Sequence, residues 1–319
     1  MRTTRGCGRS FSDREVSGVL VIGAAGLIGR AVFAEAERNG EATAAVAMPS
    51  ASVPDAQVLR LSASAVDRLA RLLERLTPDA IVNCAGRTSG TSDELWRANV
   101  EPVATILEAM RTAAPGARLV HLGSAAEYAE VPNRLTDEEA PLAASTPYAV
   151  AKAAASRLVG EAAESGLDTV VARVFNPIGP GMPPTSLPGR AARLLRDAVV
   201  DSAPRIELGP LDAVRDYVDL RDVSTAVHLL ASEPRLPHRV YNVGSGRPTV
   251  VRNLVGMIAD RVGFSGEILE SAAASPRSQG VNHQVADIAR IRSTGWMPRV
   301  ELVDSVDALV ESITERVGP

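Results

Sequence analysis

The amino-acid sequence predicts an α/β protein, with a doubly wound parallel sheet followed by a smaller C-terminal lobe. Short apolar runs alternate with amphipathic helical patterns between residues 18 and 175. Strands that alternate with helices pair in parallel, and the helices cover both faces of the sheet. After Phe175 the alternation gives way to the Pro- and Gly-rich segment NPIGPGMPPTSLPGR and then to mixed short elements, which indicates a second lobe.

The elements follow from local patterns. GVLVIG, from residue 18, predicts a buried strand, and LIGRAVFAEAERNG predicts an amphipathic helix that ends at a glycine. Further strands are predicted at TAAVAM, QVLRL, AIVNCAG, RLVHLG and TVVARVF, and helices over 64–76, over 93–112 and from PYAVAK onward. We expect a leader over 1–17, a first domain over 18–175 to which later segments return, and a second lobe over 176–319.

Composition excludes several classes of protein. The net charge is −4 and no basic block is present, which argues against nucleic acid as a partner. No apolar run approaches the roughly 18 residues of a membrane-spanning helix. The cysteines are Cys7, in the polar leader, and Cys84, so we expect no structural disulfide and a reducing cytoplasmic location. The four histidines are scattered without metal-ligand spacing, so no catalytic metal is expected.

A glycine-rich segment joins the first strand to the first helix. Gly23, Gly26 and Gly29 stand at GxxGxxG spacing, and Leu27, Ile28 and Arg30 open the helix that follows. A tight turn and a close backbone approach require residues without a Cβ, and the helix N-terminus offers N–H groups to a pyrophosphate. A glycine-rich turn without a ligand is the alternative. The position at the head of an α/β pattern favours nucleotide binding by these six residues.

This glycine spacing resembles that of the extended branch of the short-chain dehydrogenase/reductase superfamily, which also carries a YxxxK pair. YAVAK supplies Tyr148 and Lys152, and Lys152 is the one lysine among the 34 lysines and arginines. Residues four apart share one helical face, and a neighbouring cation lowers the pKa of a phenol. A surface lysine on an amphipathic helix is the alternative. Pro147 after Thr146 predicts a helix start with Tyr148 in its first turn.

Other landmarks of the resemblance follow in order along residues 18 to 315. It implies a Rossmann-type fold, a catalytic hydroxyl at Ser124 and a structural or pocket-wall role for Tyr128. It also implies that NCAG lies along the cofactor, and that Asn99 is structural. The further residues that the resemblance assigns to cofactor or substrate diphosphate are Cys84, Ala85, Gly86, Tyr148 and Lys152 for the cofactor and Arg87, Ser124, Asn176, Arg215 and Arg277 for the substrate.

The resemblance further implies an NAD(P)-binding domain over 18–175 and a nucleotide-sugar-binding lobe over 176–319. It implies a homodimer formed by the Tyr148 helix and the helix over 93–112, whose faces are rich in small residues. Ser62 stands where the family often has an aspartate that holds the adenine, which is a departure from the pattern.

The segment after Ser124 bears on the reaction. Sugar-nucleotide 4,6-dehydratases carry an Asp-Glu pair there, and this chain has Ala125 and Ala126. Glu127 comes one position late and, in an extended segment, is expected to point to the other face. Dehydration is therefore not expected. The favoured hypothesis is reduction of a nucleoside-diphosphate 4-keto-6-deoxyhexose, because the second strand favours NADP(H) and the segments PDAIVNCAG and GWMP resemble keto-deoxyhexose reductases. The alternatives are a 4-epimerase that holds NAD and a non-catalytic nucleotide-binding protein.

The end of the second strand bears on the cofactor. NAD-binding members usually place an acid there for the ribose hydroxyls, whereas this chain has Met48, Pro49, Ser50 and Ser52. Arg30 is predicted to meet a 2′-phosphate. The sequence therefore favours NADP(H), with NAD(H) as the alternative.

Overall fold

A computed structural model describes residues 18–47, 57–132, 134–271 and 282–314. Its strands are β1 Gly18–Ile22, β2 Ala42–Ala47, β3 Gln57–Val58, β4 Ala80–Asn83, β5 Arg118–Ser124, β6 Thr169–Val174, β7 Asn176–Ile178, β8 Arg205–Leu208, β9 Val214–Asp219, β10 Val240–Val243, β11 Pro248–Val250, β12 Glu267–Glu270 and β13 His283–Gln284. Its helices are α1 Leu27–Arg38, α2 Val66–Leu76, α3 Ser92–Asn99, α4 Glu101–Ala113, α5 Pro147–Glu164, α6 Leu187–Val200, α7 Leu220–Ser232, α8 Val251–Val262, α9 Ala289–Arg292 and α10 Leu302–Thr314. Short 3₁₀ turns cover Ala63–Ala65 and Ala125–Glu127.

The large sheet confirms the predicted α/β class. Over the described ranges its strand order is β10-β6-β5-β4-β1-β2-β3, and every pairing is parallel. Alternate residues of β1 enter different cores: Val19 and Val21 pack on the side of α1 and α7, whereas Leu20 and Ile22 pack on the side of α2, α4 and α5. Burial on both faces explains why the strands read as continuous apolar runs.

The order in which the chain adds strands to the sheet reverses at β1, because β2 and β3 lie on one side of β1 and β4, β5 and β6 lie on the other. In open α/β sheets ligands bind outside the carboxyl ends of the strands at such a switch point. The segments that follow β1 and β4 are the glycine-rich loop from Gly23 and the chain from Cys84. The topology therefore brings both predicted cofactor segments to one crevice.

The second lobe contains a sheet in which β9 pairs with β7, β11 and β13, and a separate β8–β12 pair. Its apolar core is formed largely by α6, α8 and α10. Two later elements belong to the first sheet: β10 extends it beside β6, and α7 packs on its face.

Some element boundaries differ from expectation. The helix predicted over 93–112 is two helices, because Pro102 lies in the first turn of α4, where its missing N–H is tolerated, and a proline ring inside a continuous helix would clash with the preceding turn. The strand predicted at QVLRL covers only Gln57–Val58. The start of α5 is as predicted, with the Thr146 side chain accepting the backbone N–H of Ala149 at 3.2 Å.

Within the described ranges, no helix combines the length and the apolar character that crossing a membrane would require.

Candidate active site

The glycine-rich loop packs directly against the chain that follows β4. Gly23 has φ +83°, and a Cβ there would lie 2.6 Å from the Ala85 backbone nitrogen. A Cβ on Gly29 would collide with the Gly23 carbonyl oxygen. The glycines at these two positions are therefore required by the packing of the loop itself, whether or not a ligand is bound.

The N-terminus of α1 has the features of an anion site. Its N-cap is Gly26, whose lack of a side chain leaves the first-turn N–H groups without a side-chain cap, and no acidic residue lies in the first turn. Side chains do cap α3, α5 and α6, through Thr91, Thr146 and Ser186. Exposed N–H groups at a helix N-terminus favour a phosphate. These residues therefore fit the pyrophosphate of a dinucleotide.

Arg30 is exposed and reaches over the loop. Its Nη1 donates to the Ala25 carbonyl oxygen at 2.9 Å, and its Nη2 lies 3.7 Å from where a Cβ on Gly181 would stand. The guanidinium thus lies between the glycine-rich loop and the segment after β7. Met48, Pro49, Ser50 and Ser52 fall outside the described residues.

The chain after β4 forms the other wall of the crevice. The Cys84 N–H donates to the Ile22 carbonyl oxygen at 2.8 Å, and Ala85 N–H donates to Asn83 Oδ1 at 3.1 Å. A Cβ on Gly86 would lie 2.6 Å from Asn99 Oδ1, and Asn99 Nδ2 donates to the Arg87 carbonyl oxygen at 3.0 Å. Asn99 is therefore structural, as predicted, because it fixes the loop.

Arg87 itself is exposed, and its Nη1 lies 3.2 Å from Glu94 Oε1. This pair is an exposed ion pair of the kind that contributes little to stability.

Lys152 is buried, with 5% of its surface exposed, and its Nζ donates to the Leu122 carbonyl oxygen. Burial lowers its pKa to about 8, and Glu127 and then Cys84 oppose that shift. Tyr148 is half-buried one helical turn earlier, on the same face of α5. A solvated lysine on the outer surface of an amphipathic helix is therefore excluded.

The groups around Lys152 are buried and mostly uncharged. Burial raises the pKa of Cys84 to about 12, against the effect of Lys152. Burial, and then Lys152, lower the pKa of His121 well below its ordinary value. His121 Nδ1 lies 3.1 Å from Asn83 Nδ2. The Lys152 ammonium therefore lies near two neutral side chains, Cys84 directly after β4 and His121 on β5.

Ser124 is the last residue of β5 and the N-cap of the 3₁₀ turn that follows. Its Oγ accepts the Ala126 N–H at 3.2 Å. A hydroxyl oxygen that accepts one bond still has a proton to donate to a substrate oxygen. The capping role and a substrate-binding role are thus compatible.

The expected orientation of Glu127 is wrong. The segment after Ser124 is a 3₁₀ turn, so side-chain alternation ends with β5, and the Glu127 carboxylate folds back and is wholly buried. It accepts from Ser124 N at 2.8 Å, from Ser156 Oγ at 3.0 Å and from Arg173 Nε at 2.9 Å. Sequence reasoning could have noted the S-x-x-E capping box that begins at Ser124.

Tyr128 is structural, as predicted. Its hydroxyl donates to Asn242 Oδ1 at 2.7 Å, and the Arg173 guanidinium lies 4.6 Å from its ring centroid. Burial raises its pKa to about 12.

Two of the predicted diphosphate residues lie on the sheet of the second lobe. Asn176 begins β7, and its Nδ2 donates to the Asp216 carbonyl oxygen at 2.9 Å. Arg215 is buried on β9, opposite Gln284 of β13, and Gln284 Nε2 donates to the Ala125 carbonyl oxygen at 2.7 Å. This link connects the sheet that carries Arg215 to the turn that begins at Ser124. Arg277 lies outside the described residues.

Acidic residues of RDYVDLRDV have a structural role that sequence reasoning missed. The buried Asp216 carboxylate accepts backbone N–H groups of Ser245, Gly246 and Ala286 at 2.7, 2.9 and 3.1 Å. Asp222 accepts those of Arg299 and Val300, each at 3.0 Å. These carboxylates connect distant segments. Within the described ranges, no group of three metal-ligating side chains is found.

Comparisons with known proteins agree with this geometry. The model of the NAD dependent epimerase/dehydratase family matches residues 19–244. The dTDP-6-deoxy-L-talose 4-dehydrogenase (NAD(P)(+)) of Kitasatospora kifunensis is 36% identical over 299 residues, covering 91% of this chain and 94% of that protein. The GDP-6-deoxy-D-mannose reductase of Pseudomonas aeruginosa is 29% identical over 249 residues, covering 75% of this chain and 82% of that protein.

A solved structure has the same fold throughout. RMD from Pseudomonas aeruginosa, complexed with NADPH, matches with a TM-score of 0.79 at 26% identity, covering 95% of this chain and 99% of that chain.

Proposed function

Because this chain belongs to the NAD-dependent epimerase/dehydratase family, we propose that it is an NAD(P)-dependent ketoreductase. Its substrate is a nucleoside-diphosphate 4-keto-6-deoxyhexose, and its product is the corresponding 4-hydroxy sugar. The activities of the Kitasatospora dehydrogenase and the Pseudomonas reductase support this class of substrate. The observation that carries the proposal is the combination of a hydroxyl, a phenol and a buried ammonium beside a glycine-rich loop.

Each of the three side chains has a role in reduction. The cofactor, when bound, supplies the hydride to the carbonyl carbon. Tyr148 donates a proton to the carbonyl oxygen, Ser124 donates a hydrogen bond to the same oxygen, and the Lys152 ammonium stabilises the phenolate that remains. The phenolate then regains a proton from solvent. The buried position of Lys152 strengthens its effect on the phenolate, because electrostatic interactions are stronger away from water.

The absence of an acid–base pair beside Ser124 favours reduction over dehydration. Ala125 and Ala126 carry no titratable group, and the Glu127 carboxylate is already occupied by Arg173, Ser156 and the Ser124 N–H. A carboxylate held in an internal ion pair is poorly suited to removing a proton from a substrate.

We infer that the cofactor binds to the domain over 18–175 and that the nucleotide sugar binds mainly to the lobe after residue 176. The hydrogen bond from Gln284 to the Ala125 carbonyl supports this division, because it connects β13 with the turn at Ser124. Asn176 and Arg215 are the proposed contacts of the diphosphate, with Arg87 and Arg277 as further candidates.

A separate proposal concerns the choice between NADPH and NADH. We infer that NADPH is preferred to NADH, since no acid follows β2 directly in the sequence and Arg30 is exposed beside the glycine-rich loop. A charge-assisted hydrogen bond to a 2′-phosphate would contribute about 1.5–3 kcal/mol, equivalent to a preference of roughly tenfold or more.

The decisive experiment follows NADPH consumption with dTDP-, GDP- and UDP-linked 4-keto-6-deoxyhexoses and identifies the product by mass. Reduction predicts one NADPH oxidised for each sugar that gains two hydrogen atoms. Tyr148→Phe is the matched control, because it removes only the proton donor. If no keto sugar is reduced, and UDP-glucose and UDP-galactose interconvert without added cofactor, the protein is an epimerase with tightly held NAD.

We also propose a homodimer formed through α5 and through α3 and α4, the two helices that cover residues 93–112. Trp96 on α3 and Val150 on α5 are each 47% exposed, and together they border a groove of about 360 Å³ between α3 and the start of α5. Light scattering should give the mass of a dimer, and Trp96→Glu should shift it toward the monomer. A wild-type monomer at micromolar concentration would contradict the proposal.

A further inference from the structure

The Glu127 carboxylate is enclosed between β5, β6 and α5. It is wholly buried, and its donors come from three different elements: the Ser124 N–H from β5, Ser156 Oγ from α5 and Arg173 Nε from β6. Burying a carboxylate costs several kcal/mol unless it is paired and hydrogen-bonded. The three donors offset that cost, so the fold holds a negative charge at one defined position.

That position lies beside two of the three proposed catalytic residues, Ser124 and Lys152. Ser156 is one helical turn after Lys152, so their side chains share a face of α5. Lys152 donates to the carbonyl of Leu122, and Glu127 accepts the N–H of Ser124, two residues further along the same strand. Two adjacent bridges thus connect α5 to the end of β5, one through the ammonium and one through the carboxylate.

Gly123 provides the space for this arrangement. A Cβ there would lie 2.8 Å from Glu127 Oε1, 2.8 Å from Val171 Cγ1 and 3.0 Å from Arg173 Cγ. The carboxylate therefore lies directly against the strand between Leu122 and Ser124, where a side chain would displace it.

Two of the other titratable groups near Lys152, Cys84 and His121, are neutral near pH 7. Cys84, directly after β4, keeps its proton, because burial raises its pKa to about 12. His121 on β5 is uncharged, because burial and Lys152 lower its pKa well below the ordinary value. Tyr148 precedes it by one turn on its own helix. Glu127 is the group that most opposes the effect of burial on Lys152.

We propose that Glu127 is a positioning residue, whose carboxylate holds Ser124 at the end of β5 and supplies the negative charge that keeps the Lys152 ammonium protonated. Arg173 and Ser156 fix that carboxylate in place. The proposal rests on the roles of Ser124 and Lys152 in the proposed function. The effect of Glu127 on the protonation of Lys152 can be measured in the ligand-free protein, without turnover.

The single lysine permits a direct test. Protein carrying ¹³C-labelled lysine, on a lysine-free tag, gives one ε-methylene NMR signal, whose pH titration reports Lys152 in the ligand-free protein. The wild type should titrate at about 8. Glu127→Gln should titrate lower, by on the order of one unit, since loss of a nearby opposite charge disfavours the protonated lysine.

Glu138→Gln is the matched control. Glu138 is also a buried carboxylate, 4% exposed in its side chain, which accepts the Asn242 N–H at 2.8 Å and lies 3.5 Å from Arg290 Nε. Its loss should change stability and leave the lysine titration unchanged. An unchanged titration in Glu127→Gln, or an equal shift in Glu138→Gln, overturns the proposal.

Turnover provides the second measurement. In Glu127→Gln the alkaline limb of kcat should move down by about one unit, which lowers kcat about fivefold at pH 8 beyond any loss from Ser124 displacement. Glu127→Asp keeps the charge, so it should lower kcat while leaving the alkaline limb in place. If the alkaline limb of kcat shifts as much in Glu127→Asp as in Glu127→Gln, the negative charge at position 127 is not what keeps Lys152 protonated, and the proposal is contradicted.

If Glu127→Gln alone does not fold, because Arg173 is left unpaired, the double variant Glu127→Gln/Arg173→Gln removes both charges. The lysine pKa should then shift in the same direction but by less, because a cation is lost together with the carboxylate. A normal titration in the double variant overturns the proposal. If the lysine shifts as expected while no keto sugar is reduced by the wild type, the proposed function fails and the electrostatic role of Glu127 stands.

Discussion

Replacing Lys152 by methionine should stabilise the ligand-free protein at pH 7 while abolishing turnover. The buried ammonium donates to one backbone carbonyl, and the nearby Glu127 carboxylate is paired with Arg173. Methionine has a similar length without the charge, and its flexibility suits an irregular buried site. The wild-type lysine is thus expected to cost stability in exchange for its role in the reaction.

The magnitude follows from the pKa of Lys152. Burial lowers it from 10.5 to about 8. A shift of that size corresponds to about 3 kcal/mol of destabilisation in the charged state. Loss of the hydrogen bond to Leu122 offsets about 1 kcal/mol of the gain. The net expectation for Lys152→Met at pH 7 is therefore about 2 kcal/mol, or roughly 4 °C in Tm.

The pH dependence has a definite sign. Between pH 8 and about 10.4 the unfolded chain binds a proton at this lysine that the folded protein has released, so wild-type stability rises with pH in that window. Below pH 8 the full cost is present. The advantage of Lys152→Met should therefore be constant up to pH 8 and shrink above it.

Urea unfolding of the ligand-free proteins at pH 7 and pH 9.5 measures this difference. Arg173→Met is the contrasting control, since it removes a buried cation that is ion-paired and should cost about 3–5 kcal/mol by leaving Glu127 unpaired. A destabilised Lys152→Met at pH 7, or a difference that does not change with pH, would refute the reasoning.

Three further predictions concern the site. Tyr148→Phe should lower kcat by about 10²–10⁴-fold, with cofactor binding retained by calorimetry, because it removes only the proton donor; near-normal turnover would exclude Tyr148 from the chemistry. Gly123→Ala should lower the free energy of unfolding by about 1–3 kcal/mol in chemical unfolding and should reduce kcat. Gly256→Ala in α8 is the control: an added Cβ there meets nothing within 4 Å, so it should raise the free energy of unfolding by up to about 1 kcal/mol. Arg30→Ala should raise the KM for NADPH more than that for NADH; equal effects on both would leave Arg30 without a role in cofactor choice.

Much of the fold could be predicted because the signals are local and repeated. Alternating apolar runs and helical patterns determined the parallel sheet, and Thr146 followed by Pro147 located the start of α5. Tyr148 and Lys152 could be paired from spacing alone, since an α-helix brings residues four apart onto one face. The break between α3 and α4 also had a signal, Pro102, which the continuous apolar pattern obscured.

The surroundings of the site could not be predicted in this way. The orientation of Glu127 depends on where β5 ends, and a 3₁₀ turn of three residues is enough to reverse an inference from strand alternation. Its partner Arg173 lies 46 positions further along the chain, and only the pairing of β5 with β6 brings the two together. Asp216 likewise acquires its donors from segments far away in sequence.

The hydrogen-bond acceptors around its side chain explain why this arginine-rich chain has a lysine at position 152. An ammonium is a compact point charge with three donors, and here it donates to a backbone carbonyl and lies near a protonated thiol and a neutral imidazole. A guanidinium has five donors in a rigid plane and cannot lose its charge, so several of its N–H groups would be buried without acceptors. At the buried Arg118 and Arg173, a carboxylate and further acceptors or an aromatic ring face the guanidinium. Lys152 instead donates to a backbone carbonyl, so an arginine at this position is expected to bury several N–H groups without acceptors, which is a physical reason for a lysine here.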